Sequence, residues 1–216
     1  MANNNLTESV VTYILLPSVV FKFTAMIIGV VGNTTVIIYN IFLSKEKTIT
    51  SYLVGNLALA DLLVCLTFYP VWIIEFIQTI LNIDSDQDLF CKLSRSSLLA
   101  LLFVSVATLL AITIDRYIFI AKPLKYPLIV TQERVRNIVA AIWLISCGVL
   151  CLTAVYFKKP RRQPKRSYCQ VLDEIYWPCE IVILYIPIII IFSLNLKILR
   201  IARNQKQRIL QETANV

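Results

Sequence analysis

The chain has 216 residues, of which 58% are hydrophobic and 16% charged, with a mean hydropathy of +0.73 and a formal net charge of +8. A soluble domain of this length needs far more polar surface to cover its core, and the absence of histidine excludes His-ligated metal sites, Ser-His-Asp triads and Cys-His dyads built within the chain. The basic excess raises nucleic acid as a partner, but lysine and arginine gathered in cytoplasmic loops explain it better, so the expected partner is the lipid bilayer and no nucleic acid.

A helix crossing a bilayer needs roughly 20 mostly apolar residues, because the hydrocarbon core is about 30 Å thick and a helix rises about 1.5 Å per residue. Five segments meet this length: 19–43, uncharged after Lys22; 52–80, interrupted by Asp61 and Glu75; 93–120, uncharged between Arg95 and Asp115; 138–157; and 175–199, with Lys197 near its end. They predict an all-α fold, a multi-span transmembrane helix bundle. Residues 1–18 carry Glu8 and no basic residue, so they lack the positive start of a cleaved signal and the first span is expected to act as an uncleaved anchor. The tail from Arg200 reads as helix continuing into the cytoplasm, and nothing at Val216 marks a natural terminus.

Loop charge sets the orientation. The N-terminal tail lacks Lys and Arg; Lys45 and Lys47 follow the first span, Asp84, Asp86 and Asp88 the second, Lys122, Lys125, Arg134 and Arg136 the third, and Arg200, Arg203, Lys206 and Arg208 the fifth. The N-terminus is therefore expected outside. The loop after the fourth span runs against this, with Lys158, Lys159, Arg161, Arg162, Lys165 and Arg166. Cys65, Cys147 and Cys151 lie inside apolar runs and read as small hydrophobes; Cys91, Cys169 and Cys179 lie near span ends, where a disulfide forms if that side is oxidising.

Asp61 stands mid-span in Asn56-Leu57-Ala58-Leu59-Ala60-Asp61. A carboxylate at membrane depth costs on the order of 3 kcal/mol on insertion scales. It is expected to face the bundle with a partner, either as an ion or proton site or as a hydrogen-bonded structural residue. Asn33, after Gly32, can hydrogen-bond across helices, and its sequon match is inert inside a bilayer; Asn5-Leu6-Thr7 is the better glycosylation candidate. Asp115-Arg116-Tyr117 closes the third span. Alone it reads equally as an interfacial ion pair, but it continues as Ile118-Phe119-Ile120-Ala121-Lys122-Pro123-Leu124-Lys125-Tyr126.

With these motifs in order the chain resembles the first five helices of a rhodopsin-like (class A) G-protein-coupled receptor. Gly32-Asn33 is similar to the first-helix signature and Asn56 through Asp61 to the second. Trp72 is similar to the tryptophan of the first extracellular loop, Cys91 to the cysteine opening helix three, the triplet with Pro123-Leu124 to the end of helix three and the second cytoplasmic loop, Trp143 to helix four, Cys169 to the second extracellular loop and Pro187 to helix five. Cys91 and Arg116 are 25 residues apart, as in the family. The resemblance covers nearly the whole chain and implies five helices of an expected seven: an extracellular tail over 1–18, the receptor helices over 19–203, and the start of the third cytoplasmic loop over 204–216.

What the resemblance implies can be carried over by residue. Arg116 is held by Asp115 at rest and released toward a heterotrimeric G protein on activation; Tyr117 completes the triplet, and Leu124 is the apolar G-protein contact. Asp61 and Ser105, with Asn33, form part of a pocket for an allosteric sodium ion. Cys91 and Cys169 form the extracellular disulfide, with Cys179 as the alternative. No other cofactor, and no enzyme activity, is implied; the place is the plasma membrane, crossed several times. The chain departs from the family at Asn195, eight residues after Pro187, where a tyrosine is usual, and it lacks helices six and seven, so a fragment, a truncated gene model or a shortened isoform is expected. Leu98, seven residues after Cys91, stands where amine receptors carry an aspartate, so the ligand is not expected to be a typical monoamine. Arg95, one turn above Leu98, suggests an anionic or acidic-peptide ligand; pairing with Glu75 or snorkelling to headgroups explains it as well. Two other functions compete: an ion-coupled transporter using Asp61, for which internal repeats are missing, and a non-signalling five-helix partner of full-length receptors.

Overall fold

The structure is a computed structural model and describes residues 2–43, 48–80, 88–156, 178 and 180–214. Among these, six α-helices and no strand occur: α1 (Ala2–Ile38), α2 (Ile49–Ile80), α3 (Asp88–Ala121), the short α4 (Tyr126–Ile129), α5 (Gln132–Tyr156) and α6 (Ile186–Ala214). Five helical stretches are long and apolar enough to cross a membrane: Leu16–Leu43, Ile49–Ile74, Leu93–Ala121, Gln132–Val155 and Ile181–Gln207. The all-α, multi-span expectation therefore holds.

Local chemistry explains the boundaries. The Thr48 hydroxyl accepts the Ser51 amide at 3.2 Å and the Thr131 hydroxyl accepts the Arg134 amide at 3.4 Å, so each threonine caps the helix that follows. The Thr131 cap, with Glu133 in the first turn, starts α5 at Gln132, upstream of the apolar run at 138. Pro187 follows a π-helical turn at Ile181–Tyr185. A proline lacks an amide hydrogen and crowds the carbonyl four residues back, here that of Ile183, and the wider π turn accommodates both effects. The basic tail continues as helix to Ala214.

One expectation is corrected. Trp72 is not in a loop; it lies within α2 and within its membrane-crossing stretch. The apolar run Val71-Trp72-Ile73-Ile74 gives the helix no reason to stop, and Pro70 is absorbed inside it, as membrane helices allow. Near a span end, an amphipathic indole is at home.

The third span is the hub: 44% of its most apolar stretch is buried inside the bundle, against 0% for the first and fifth. It packs on α2, α5 and α6, while α1 packs on α2. Two apolar clusters fill the seams, Leu53 with Val135 and Val139, and Ala60 with Val104 and Ile142; Trp143 packs against both. A Cβ on Gly29 would come within 2.6 Å of Cys65 Sγ, so the missing side chain there sets how closely α1 approaches α2. Cys65 is buried with a free thiol, as its apolar setting suggested, whereas the free thiols Cys147 and Cys151 are exposed on α5.

Candidate functional site

The polar residues of the bundle converge in three places. The middle network joins three helices: Asn56 Nδ2 on α2 donates to Thr108 Oγ1 on α3 at 2.9 Å, and Trp143 Nε1 on α5 donates to Asn56 Oδ1 at 2.9 Å. Thr108 Oγ1 also donates to the Val104 carbonyl at 2.7 Å. On the same α2 and α3 faces, Ser105 Oγ donates to Asp61 Oδ1 at 2.7 Å. The structure thus brings Asp61 and Ser105 together, whereas Asn33, half-buried on α1, makes no hydrogen bond among the described residues.

The second place is the C-terminal end of α3. Asp115 is only 4% exposed, and a carboxylate so buried needs partners. It finds them outside the triplet: Thr50 Oγ1 on α2 donates to Oδ2 at 3.0 Å, and the Tyr126 hydroxyl on α4 donates to Oδ1 at 2.7 Å. Burial first, then the Asp115 hydrogen bond and charge, push the Tyr126 phenol up to about 12, so it stays a neutral donor throughout the physiological range. Its ring also meets Phe119 edge-on at 5.3 Å. Arg134 Nη1 ties the loop from the other side by donating to the Leu128 and Ile129 carbonyls at 3.1 and 3.0 Å.

Arg116, by contrast, is exposed, and among the described residues no salt bridge joins it to Asp115. The implied Asp115–Arg116 hold is replaced here by a carboxylate that clamps α2 and the loop. Tyr117 is half-buried beside it. Leu124, in the 3-10 turn Pro123–Lys125, is 94% exposed, and Leu128, one helical turn on, is 74% exposed. Thr50, Thr108, Tyr126 and Leu128 were not singled out from sequence. The only signal for Leu128 is its spacing of four from Leu124 in a loop otherwise rich in Lys and Pro.

The third place is the opposite end of the bundle, where Lys22 Nζ lies 3.1 Å from the Trp72 ring centroid and the Arg95 guanidinium 5.7 Å from that of Phe68. Leu98 is half-buried one turn along α3 from Arg95. Cys91 stands in α3 and Asn5 in α1, but nothing is described of their side chains; Cys169, and with it the expected disulfide, lies outside the described residues, as does the basic loop from Lys158.

Five spanning helices around a central third one, with an acid-arginine-tyrosine triplet at its end, call for comparison with known proteins. A family model described as 7 transmembrane receptor (rhodopsin family) matches residues 32–215. The chain belongs to that family. The match to this rhodopsin-family receptor model takes in the Asn56, Asp61 and Asp115 groups, while Lys22 lies outside it. Among curated proteins, the chain is 27% identical to the alpha-1A adrenergic receptor of Oryzias latipes, over 84% of this chain and 38% of that protein. It is 26% identical to the human alpha-1D adrenergic receptor, over 86% and 32%, and 29% identical to the octopamine receptor Oamb of Drosophila melanogaster, over 68% and 23%. The chain thus spans less than two fifths of the length of these relatives. The family is one of receptors, not enzymes, and its membership places the chain in a membrane crossed several times.

Proposed function

We propose that this rhodopsin-family chain serves signal transduction at the plasma membrane, with its N-terminus outside: an extracellular ligand binds within the bundle, and a change of conformation reaches a heterotrimeric G protein at the far end. The observation that carries this reading is the division of labour at the end of α3. Asp115 is engaged in holding Thr50 and Tyr126, while Arg116 and Leu124 are both exposed, one a cation and the other apolar. Such a pairing suits a protein partner with an apolar pocket and acceptor groups. The asymmetry of lysine and arginine between loops supports the orientation.

Leu124→Asp tests the contact in the full-length receptor. Burying a leucine is worth about 1.5–3 kcal/mol, so G-protein nucleotide exchange is expected to fall about tenfold or more, with ligand binding retained. Unchanged exchange removes Leu124 from the interface.

Asp61 and Ser105 supply two oxygen donors of the kind a hard cation prefers. We propose that they contribute to a sodium site, the remaining ligands coming from elsewhere. Sodium at ten times its dissociation constant should then stabilise the protein by about 1.4 kcal/mol. Thermal unfolding in sodium against potassium chloride reads this gain, and Asp61→Asn should abolish it; equal gain in the variant rejects the site. The relatives' names point to amine ligands. The apolar Leu98 supports a ligand other than a typical monoamine, since its side chain carries no charge to pair with an ammonium.

A further inference from the structure

The last helix passes beyond the membrane without a break. Its spanning stretch, Ile181–Gln207, has 27 residues, and α6 runs on to Ala214. A hydrocarbon core about 30 Å thick takes about 20 residues, so counted from Ile181 it ends near Arg200. Four cations straddle that boundary, Lys197, Arg200, Arg203 and Lys206, and all four are exposed. Lys197 lies one turn inside, where a long side chain reaches outward to the headgroups. Lys206 lies about 9 Å beyond Arg200, about one Debye length in physiological salt.

The cations follow one another at intervals of three, a spacing at which like charges on a helix repel. Among the described residues none of the four makes an ion pair, and the helix carries no acid before Glu212. Helix polarity does not account for them, because its pull on cations is confined to the last turn, and Lys206 stands two turns short of Ala214. The wider surroundings do not offset them either. By sequence, the segments 39–52, 115–137 and 196–216 at this end of the spans hold twelve lysines and arginines against four acids, Glu46, Asp115, Glu133 and Glu212. The rest of the chain holds nine of each. The whole net charge of +8 therefore belongs to the end that carries Arg116.

The winding of the helix selects the partner. Each residue turns it by about 100°, so Lys197 and Lys206, nine residues apart, fall on opposite sides, with Arg200 and Arg203 between them. A protein docking on one face meets only part of that set, whereas lipid around the helix meets all of it. We propose that Lys197, Arg200, Arg203 and Lys206 form a collar that gathers phospholipid headgroups of net negative charge around the emerging end of α6. Each arginine grips two phosphate oxygens through its planar fork, and each lysine acts as a point charge. The bound lipid in turn relieves the repulsion within the helix. This inference goes beyond the receptor reading and needs only that the helix crosses a bilayer.

The test uses the 216-residue chain in nanodiscs that mix phosphatidylcholine with phosphatidylglycerol, one or the other dibrominated. Leu199→Trp, at an exposed position beside Arg200, supplies a local reporter. The quenching it adds to that of the unsubstituted chain reads which lipid lies beside the collar. One cation near an anionic surface is worth about a fivefold preference, so phosphatidylglycerol should be favoured by at least about that factor. Replacing all four cations by glutamine in this background should bring the preference to within about twofold of parity, as should 1 M salt. The variant Lys197→Arg, Arg200→Lys, Arg203→Lys, Lys206→Arg should keep the preference, which separates charge from folding, and so should Arg161→Gln with Arg162→Gln at the opposite end. Equal quenching by the two lipids, or a preference lost as fully in the charge-keeping variant, overturns the proposal. A preference that survives the four glutamines overturns it too and leaves these cations to a protein partner. No G protein is present, so failure here leaves the proposed coupling untouched, and failed coupling leaves the collar standing.

Discussion

Arg116→Gln is expected to reduce G-protein nucleotide exchange on the order of a hundredfold in the full-length receptor while leaving the fold intact. A charge-assisted hydrogen bond contributes about 1.5–3 kcal/mol, and its loss at a protein interface leaves the partner's acceptor stranded as well. The fold should not notice. Arg116 is exposed and makes no ion pair with Asp115, whose two oxygens are taken by Thr50 and Tyr126. Substitutions at such surface positions stay within about 0.5 kcal/mol. The paired measurement is nucleotide exchange and thermal unfolding on the same preparation. Exchange at the wild-type rate would remove Arg116 from the coupling surface; a large loss of stability would make it a structural residue instead.

Asn56→Leu carries the second large effect, and it falls on stability. The side chain accepts from Trp143 and donates to Thr108, so one residue ties α2 to both α5 and α3. Leucine fills much the same space but makes neither bond. Interhelical hydrogen bonds in membranes average about 0.6 kcal/mol and reach about 1.7, and a stranded buried donor such as the indole N–H adds about 1–3. A loss of about 2 kcal/mol or more is expected in thermal unfolding. Asn33→Leu is the contrast: half-buried and without a hydrogen bond among the described residues, it should change stability by no more than about 0.5 kcal/mol. Equal losses at the two asparagines would deny the network its place in the core.

Much of this was legible in the sequence. Bilayer thickness fixes the length of an apolar run, so the five spans could be read without any structure. Asp61 and Asn33 announced themselves as polar residues in apolar surroundings; Asp61 finds its partner on α3, Asn33 makes no hydrogen bond among the described residues, and the interhelical asparagine is Asn56, read from sequence only as part of its motif. The partners were harder to read. Ser105 was named as Asp61's companion only through the family resemblance; Thr50 and Thr108 are small hydroxyl residues that sequence cannot separate from other Thr turning inward on their own helices, as Thr67 and Thr113 do. Tyr126 reaches Asp115 only because the short α4 folds back beneath α3, a tertiary event. Motif position assigns Trp72 to a loop, while its own apolar neighbours argue for helix. The meeting of Lys22 with the Trp72 ring depends on how α1 leans on α2, which no local pattern encodes.

The three-helix network also has a polarity. An indole N–H can only donate, so the end of Asn56 facing Trp143 must be its oxygen, and the end facing Thr108 its NH2 group. The threonine hydroxyl, receiving from that group, sends its own hydrogen to the Val104 carbonyl. Every hydrogen therefore points the same way, from α5 through α2 into α3. An aspartate at position 56, equal in shape, would put an acceptor in place of the NH2 group, and the Thr108 hydroxyl would have to turn from the Val104 carbonyl to donate to it. The position as built takes a side chain with one donating end and one receiving end in this order, so a change at residue 56 is felt on both α5 and α3.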